Sequence, residues 1–205
     1  RERFLQMSRN YWKTYFTKNI FFSGLGYFEL SIILFIILTF FLIITTSSST
    51  LENTFVWPLD GYTYISSYFG YRTSPTSGAS TYHSGIDIPA PEETTILAVC
   101  TGTVTFASWG AGGGYTIVVE NDNIKVSYCH VSPNFIVQKN DIVTAGQIIG
   151  NVGPKNVYGI INNPYKDSFG NPTNGATTGC HLHLTIKKDG LAENPLNFFP
   201  NYNDT

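Results

Sequence analysis

The sequence predicts a domain built mainly of antiparallel β-strands and preceded by one transmembrane helix. After residue 54, short runs of β-branched and aromatic residues alternate with turn residues. No run of ten or more residues there has a 3.6-residue apolar repeat. Before residue 45, a long run is almost entirely apolar. The roughly 150 residues of the β-rich part are enough for a core of their own.

The N-terminal segment has the pattern of a signal anchor. Residues 1–20 hold five basic side chains and one acidic one, and residues 21–44 carry a single charge, Glu29. As a helix, this apolar run would extend about 36 Å at roughly 1.5 Å per residue. That length exceeds the hydrocarbon core of about 30 Å, so a tilted helix can span it. The positive-inside rule then places residues 1–20 in the cytoplasm and everything after Thr45 outside.

Two other interpretations of the apolar run are a cleaved signal peptide and a buried helix. A signal peptide has a shorter apolar core and small residues at its cleavage site. The residues that follow, Thr45 to Thr50, contain no Ala-x-Ala pattern. The sequence therefore favours an anchor at residues 21–44 and a polar extracellular linker at residues 45–54.

Residues 55–200 read as a single β domain. Asn121-Asp122-Asn123 predicts a hairpin turn, and the glycine-rich stretch 110–114 predicts a second one. That stretch is not a phosphate-binding loop, because it lacks the Lys-Ser/Thr pair and the helix that such a loop needs. The predicted strands include Tyr62–Ile65, Thr94–Val99, Gly102–Ser108, Tyr115–Glu120, Ile124–Cys129, Gln147–Val152 and Leu182–Lys187.

The charge of the β-rich part argues against a nucleic-acid partner. Twelve Lys and Arg residues occur in the chain and five of them precede residue 21, so residues 45–205 hold seven, against twelve Asp and Glu. Their formal charge is therefore −5, with no basic patch interleaved with aromatic residues. We expect no binding to nucleic acid.

The four histidines indicate a metal site. In an extended segment His83, Gly85 and Asp87 lie on one face, where Gly85 would leave room for an ion, and His181 and His183 share a face in the same way. Two imidazole nitrogens and one carboxylate oxygen suit zinc with its fourth position open to water, which is typical of a catalytic site. The spacing leaves open which histidine of the second pair binds the metal and which supports it.

Short segments from about Phe55 to Phe198 match the pattern of a known family. In order, they are Trp57-Pro58, Ser66 to Arg72, His83-x-x-x-Asp87, Ala98, Gly102-Thr103-Val104, Gly113-Gly114-Tyr115, Tyr128-Cys129-His130, Gly146-Gln147, Ile149-Gly150, His181-x-His183, Asp189-Gly190 and Asn194-Pro195. On these segments the chain resembles the lysostaphin-type or LytM-type metallopeptidases, the M23 family of peptidoglycan endopeptidases. The resemblance implies an antiparallel sheet with a substrate groove, zinc bound by His83, Asp87 and His183, and catalysis by His130 and His181.

The function implied is that of a membrane-anchored zinc endopeptidase. It would use zinc-activated water to cut peptide bonds in peptidoglycan cross-links or stem peptides, on the outer face of a bacterial cell membrane. There is no His-Glu-x-x-His motif to supply a glutamate base, so His130 and His181 must share proton transfer. The alternative is a docking or scaffold module of a transmembrane complex, such as a conjugation channel or a sporulation assembly. Modules of that kind typically lose a ligand or a catalytic histidine, and this chain keeps all five residues.

The chain departs from the family pattern at Cys129, Cys180, Asn140 and the stretch Lys155–Ala176. Alternation turns both cysteines away from the metal face. They are expected either to approach each other across neighbouring strands or to be small buried hydrophobes. The stretch is an insertion before the His-x-His strand, with the composition of a surface loop. We expect it at the rim of the groove, with Tyr165 or Phe169 covering one wall. Arg72 is expected either to line the site, or to belong to a solvated loop or a structural salt bridge.

Overall fold

The computed structural model describes residues 31–40, 55–76 and 78–202. The chain divides into two units, Arg1–Glu52 and Asn53–Thr205. In the first unit residues 31–40 are α-helical, and the large apolar side chains between Ile32 and Phe40 are 44% to 69% exposed. Among the helices that these three ranges contain, none has the length and apolar character needed to cross a membrane. Most of the predicted anchor at residues 21–44, together with residues 1–20 and 45–54, lies outside the described residues.

The second unit is predominantly β, as the sequence predicts. Its described residues also include two short 3₁₀ turns, Ala111–Gly113 and Pro195–Phe198. Its strands are β1 (Gly70–Tyr71), β2 (Tyr82–His83), β3 (Ile86–Pro89), β4 (Thr95–Leu97), β5 (Gly102–Trp109), β6 (Tyr115–Asn121), β7 (Ile124–Cys129), β8 (Ile142–Val143), β9 (Ile148–Asn151), β10 (His181–Lys188) and β11 (Leu191–Glu193).

Strand β10 is an interior strand of the main sheet, next to the edge formed by β3 and β11. Among the described residues of the second unit every strand pair is antiparallel, and the main sheet runs in the order β11-β10-β7-β6-β5-β8. One edge of β10 pairs with β7, and the other pairs first with β3 and then with β11. Two small sheets, β1-β2 and β4-β9, complete the unit. The first half of β10 thus lies between β3, which carries Asp87, and β7, which ends just before His130.

Alternation along β10 produces a core face and a site face. Leu182, Leu184 and Ile186 are fully buried, while His181 and His183 are partly exposed on the opposite face. Burying side chains of this size contributes about 1.5–3 kcal/mol each. The same pattern in β7 buries Val126 and Tyr128. The core therefore fixes the orientation of the strand that carries both histidines.

Most of the predicted strands are present, with ends that differ by at most two residues. The segment Ile124–Cys129 is confirmed at both ends, and the turn at Asn121–Asn123 joins β6 to β7 as predicted. The prediction for Tyr62–Ile65 is wrong, because these residues form no strand. Ile65 is nevertheless buried in the core, so its apolar character reflects packing rather than a sheet position.

Candidate metal centre

Backbone pairing brings the three predicted ligands together. His183 lies directly opposite Asp87 where β10 pairs with β3, and His83 lies opposite Gly70 where β2 pairs with β1. An isolated bridge between Ser67 and Asp87 joins the segment before β1 to β3. The ligand positions are therefore held by ladder hydrogen bonds on three strands rather than by a free loop.

The ligand atoms form a compact triangle. His83 Nε2 lies 2.9 Å from His183 Nδ1 and 3.1 Å from Asp87 Oδ1. His183 Nδ1 lies 2.8 Å from the same Asp87 oxygen. Three atoms at tetrahedral positions, each about 2.0–2.1 Å from zinc, would be about 3.3 Å apart. Each side of the triangle is thus within about half an ångström of the edge of a zinc tetrahedron.

The proton positions on the two histidines favour a cation at the centre of the triangle. The Tyr68 carbonyl lies 2.8 Å from His83 Nδ1, and a carbonyl can only accept, so His83 presents the lone pair of Nε2. His183 Nε2 lies 2.9 Å from Thr185 Oγ1, which can accept a hydrogen bond from a protonated Nε2. The lone pair of His183 is then on Nδ1. Two lone pairs and a carboxylate oxygen that converge on one point repel one another unless a cation lies between them. The residues fit zinc.

Asp87 supplies the negative charge and is ionised. Burial by itself would raise the pKa of Asp87, but the ring nitrogens of His181, His183 and His83 beside its carboxylate outweigh burial and hold that pKa far below its usual value. Arg72 donates to the other carboxylate oxygen, Oδ2, at 2.9 Å, and also to Ser67. Arg72 therefore lines the cleft and also forms a salt bridge, which are two of the three predicted possibilities.

Gly85 has a different role from the expected one. A Cβ at this position would lie 2.2 Å from the Leu184 carbonyl oxygen. The glycine is needed because the chain passes close to the backbone of β10, not because it makes room for an ion. This close approach brings the Gly85 backbone against β10 between His83 and Asp87.

His130 and His181 lie side by side next to the triangle. Their ring centroids are 4.7 Å apart, and the His130 ring is 6.2 Å from that of His183. The Asn174 carbonyl accepts from His130 Nδ1 at 2.6 Å, and the Gly179 carbonyl accepts from His181 Nδ1 at 2.9 Å. Both histidines therefore keep Nε2 free as a proton acceptor. Burial, followed by the repulsion of His181 and His183, lowers the pKa of His130 to about 3.

Sequence reasoning missed two residues that support the site, Thr185 and Asn174. Thr185 could have been found, because strand alternation places this polar residue on the same face as His183, two residues further along β10. Asn174 is fully buried, although it belongs to a stretch with the composition of an exposed loop. Burial of Thr173 and Asn174 corrects the expectation that this whole stretch is a surface loop.

The five predicted residues meet at one cleft of about 460 Å³. His83 is buried behind its wall, whereas Asp87, His130, His181 and His183 line it. Tyr165 and Phe169 are not among the lining residues, and Phe169 is 86% exposed, so neither covers a wall as expected. The other lining residues are Ser66, Ser67, Arg72, Thr73, Pro75, Pro89, Ala176, Thr178, Gly179 and Cys180.

The three cysteines are free thiols. Cys129 lies in β7 next to Thr116, and burial raises its pKa to about 11. Burial likewise raises the pKa of Cys100 to about 11. Cys100 is buried and Cys129 half-buried, and both behave as small hydrophobes, which fits one of the two predicted alternatives. Cys180 packs against the core and also borders the cleft.

Comparison with known sequences identifies relatives of this arrangement. The profile of Peptidase family M23 matches residues 81–195, more than half of the chain. The DD-carboxypeptidase/endopeptidase Mpg of Neisseria meningitidis is 32% identical over 136 residues, which cover 66% of this chain and 27% of that protein. Stage II sporulation protein Q of Bacillus subtilis is 34% identical over 117 residues, covering 56% and 35%. The match spans about a third or less of each relative.

Solved structures share the fold of the second unit. A zinc-containing peptidase from Vibrio cholerae superposes with a TM-score of 0.55 and 26% identity, covering 70% of this chain and 40% of that one. The catalytic domain of the antimicrobial peptidase lysostaphin from Staphylococcus simulans gives 0.51 and 28%, covering 67% and 91%. The predicted β-rich fold, similar to that of lysostaphin, is thereby confirmed.

Proposed function

This chain belongs to peptidase family M23, and we propose that it is a zinc endopeptidase that hydrolyses peptide bonds in peptidoglycan cross-links or stem peptides. The observation that carries the proposal is the convergence of His83, Asp87 and His183 within 2.8–3.1 Å of one another beside two further histidines. A docking module would need no such convergence of unshared lone pairs.

The chain's own residues supply binding, orientation and proton transfer. Zinc, when bound, would polarise the scissile carbonyl and lower the pKa of a water molecule toward 7. Asp87 would hold it with one oxygen, because Arg72 occupies the other. His130 and His181 each present an unprotonated Nε2 toward the cleft, so one can accept a proton from the attacking water while the other stabilises charge on the substrate.

The shape of the cleft is compatible with a peptide. Its lining combines the five-residue site with small and hydroxyl-bearing residues, among them Ser66, Ser67, Thr178 and Gly179. Hydroxyl groups and backbone amides are suited to hydrogen bonds with an extended peptide backbone, and small side chains allow it to approach closely. These features support a peptide substrate.

The proposed enzyme is held at the bacterial cell membrane by residues 21–44, with the β domain outside the cell. The support is the apolar composition of this run and the exposure of apolar side chains at nearly every position of the helix at residues 31–40. A helix that is apolar all round is typical of a membrane span or of a buried core helix.

A docking role in a cell-envelope complex is the second candidate. It is favoured by the similarity to stage II sporulation protein Q, a protein whose structure is known in a complex with SpoIIIAH. The similarity to murein hydrolase activator NlpD of Escherichia coli, 27% identical over 156 residues, points in the same direction. In that role the chain would bind a protein partner and would not cut peptidoglycan.

One experiment separates the two functions. Purified protein is loaded with zinc and incubated with purified cell walls, and the released fragments are identified by mass spectrometry. We expect new amino and carboxyl termini within the peptides and none after treatment with a chelator. An Asp87→Ala variant is the matched inactive control. Intact walls after incubation with zinc-loaded, folded protein would favour the docking role.

A further inference from the structure

Asn174 is a fully buried polar residue at the junction of the insertion and the site. Its side-chain Oδ1 accepts from the Tyr115 amide at 2.8 Å, and its Nδ2 donates to the Val131 carbonyl at 3.0 Å. Its backbone amide donates to the Lys155 carbonyl at 2.9 Å, and its backbone carbonyl accepts from His130 Nδ1 at 2.6 Å. The Asn174 side chain thus donates a hydrogen bond to Val131, the residue after His130, while its backbone carbonyl accepts one from the His130 ring.

The surrounding backbone is shaped around this residue. A Cβ at Gly114 would lie 2.2 Å from Asn174 Oδ1, and a Cβ at Gly153 would lie 2.6 Å from its Nδ2. Gly175 follows with a φ of 74°, where a Cβ would lie 2.3 Å from the Gly114 amide nitrogen. Only glycines allow this approach without displacing backbone. The backbone at Gly114 and Gly153 therefore packs closely against the Asn174 side chain and restricts its movement.

His130 itself needs support, because its backbone is unusual. Its φ of 60° lies in the left-handed region, which costs a non-glycine residue on the order of 1 kcal/mol or more. The His130 amide donates to the Gly113 carbonyl at 2.7 Å, and its carbonyl accepts from the Gly153 amide at 2.9 Å. Both of those glycine segments contact Asn174 or its neighbours, so the same cluster holds the backbone and the ring.

We infer that Asn174 is a positioning residue for His130, fixing the ring so that Nδ1 carries the proton and Nε2 faces the cleft. The inference rests on the proposed function, since it assigns Asn174 a part in the reaction through His130. A protonated Nδ1 is required because a carbonyl can only accept, and the neutral imidazole has one proton. Loss of the Asn174 side chain would free the carbonyl to move and allow the other tautomer.

The insertion is thereby connected to the catalytic machinery. Its two ends pair next to Asn174, through the bridge between Asn156 and Thr173 and the bond from the Val157 amide to the Pro172 carbonyl at 3.1 Å. On the far side, Ala176 donates to the Gly112 carbonyl at 2.8 Å and borders the cleft. The end of the insertion is therefore part of the wall that holds His130.

The test compares Asn174→Ala, Asn174→Asp and the control Asn171→Ala, which changes an exposed asparagine of the same insertion. Asn174→Asp keeps an acceptor for the Tyr115 amide but removes the donor to Val131. For each zinc-loaded protein, the measurements are zinc content, steady-state kinetics on a peptidoglycan fragment and nitrogen NMR shifts of His130, which report the protonated ring nitrogen. We expect zinc content near that of the parent, KM little changed, and kcat lower by about 10- to 100-fold in Asn174→Ala.

The NMR measurement separates positioning from a general structural role. We expect the parent and Asn171→Ala to show Nδ1 protonated, Asn174→Ala to show a mixture, and Asn174→Asp to fall between them. Equal loss of zinc, folding and activity in both Asn174 variants would overturn the inference, as would an unchanged tautomer and kcat. If the parent protein cut no peptidoglycan, the proposed function would fail, while the tautomer comparison would still decide whether Asn174 positions His130.

Discussion

Arg72 and Asp87 are joined by an ion pair of 2.9 Å that occupies the carboxylate oxygen facing away from the histidine triangle. The other oxygen, Oδ1, lies within 3.5 Å of a ring nitrogen from each of His83, His181 and His183. The guanidinium therefore bonds one carboxylate oxygen, Oδ2, and leaves Oδ1 available to a metal. It also supplies a fixed positive charge beside a site that would itself bind a cation.

Arg72→Met should weaken zinc binding without abolishing it. The change keeps most of the side-chain volume but removes the donor that orients Asp87, and partners that orient metal ligands typically contribute 10- to 100-fold in affinity or activity. Titration against a zinc-buffering chelator measures the effect, and saturating zinc should restore most activity. Arg72→Lys, which keeps the charge but not the planar fork, serves as the matched control and should fall between the two. Zinc affinity equal to that of the parent in Arg72→Met would show that the ion pair does not orient the ligand.

Asp87→Asn should remove most of the zinc affinity. The substitution preserves the shape of the side chain but takes away the only anionic ligand of the trio, so two neutral imidazoles remain. We expect less than one tenth of the parent's bound zinc after dialysis at a limiting free zinc concentration, measured by elemental analysis. Asp60→Asn, at an exposed site far along the sequence, controls for the change in net charge. A fully loaded Asp87→Asn variant would contradict the ligand assignment.

His130→Ala and His181→Ala should retain zinc and lose activity. Neither side chain belongs to the ligand triangle, yet both border the cleft with Nε2 unprotonated. Groups that transfer protons typically contribute about 10²–10⁴-fold to the rate, so we expect losses of that size in kcat. Kinetics and zinc content are measured on the same preparations. Turnover close to that of the parent in either variant would remove that histidine from the mechanism.

Alternation and motif spacing predict the site in part, and long-range packing decides the rest. Leu182 and His183 face opposite ways because strand geometry requires it, which sequence alone predicts. Asn140 stands where the family pattern often has glycine, and its φ of 78° lies in a region that asparagine tolerates. Its position in a turn can therefore also be predicted from the sequence. Asn174 was missed because its partners, Tyr115 and Val131, lie more than 40 residues away and only the fold brings them to it. Gly85 was misread for the same reason, since the strand it contacts lies about a hundred residues further on.

Thiol labelling tests the proposed membrane orientation. Five basic residues precede the apolar run at residues 21–44, so the linker after it should face outward. A Ser48→Cys variant should react with a membrane-impermeant maleimide in intact cells, whereas Ser8→Cys should react only after lysis. The parent chain, in which Cys100 is buried and Cys129 and Cys180 are half-buried, gives the background labelling. Labelling of Ser8→Cys in intact cells, with Ser48→Cys protected, would reverse the orientation.

The outer part of the insertion should affect which bond is cut while its base is required for activity. The Tyr165 ring packs on Gly78, where a Cβ would lie 2.8 Å from it, and thereby supports the segment that follows the cleft residues Thr73 and Pro75. Replacing residues 158–171 with Asn-Gly keeps the pairing of Val157 with Pro172, the buried Asn174 and all the proposed zinc ligands.

We expect this short excision to retain zinc and to cut peptidoglycan fragments with altered preference or lower efficiency, as scored by mass spectrometry of a mixed fragment pool. Excising Lys155–Ala176 entirely should cost far more activity, because it also removes the carbonyl that holds His130 and the Ala176 wall of the cleft. Tyr165→Ala should reproduce the change in preference and Tyr165→Phe should not, because the ring makes the contact with Gly78. Were the short excision to cut every fragment of the pool as efficiently as the parent, residues 158–171 would have no part in substrate choice.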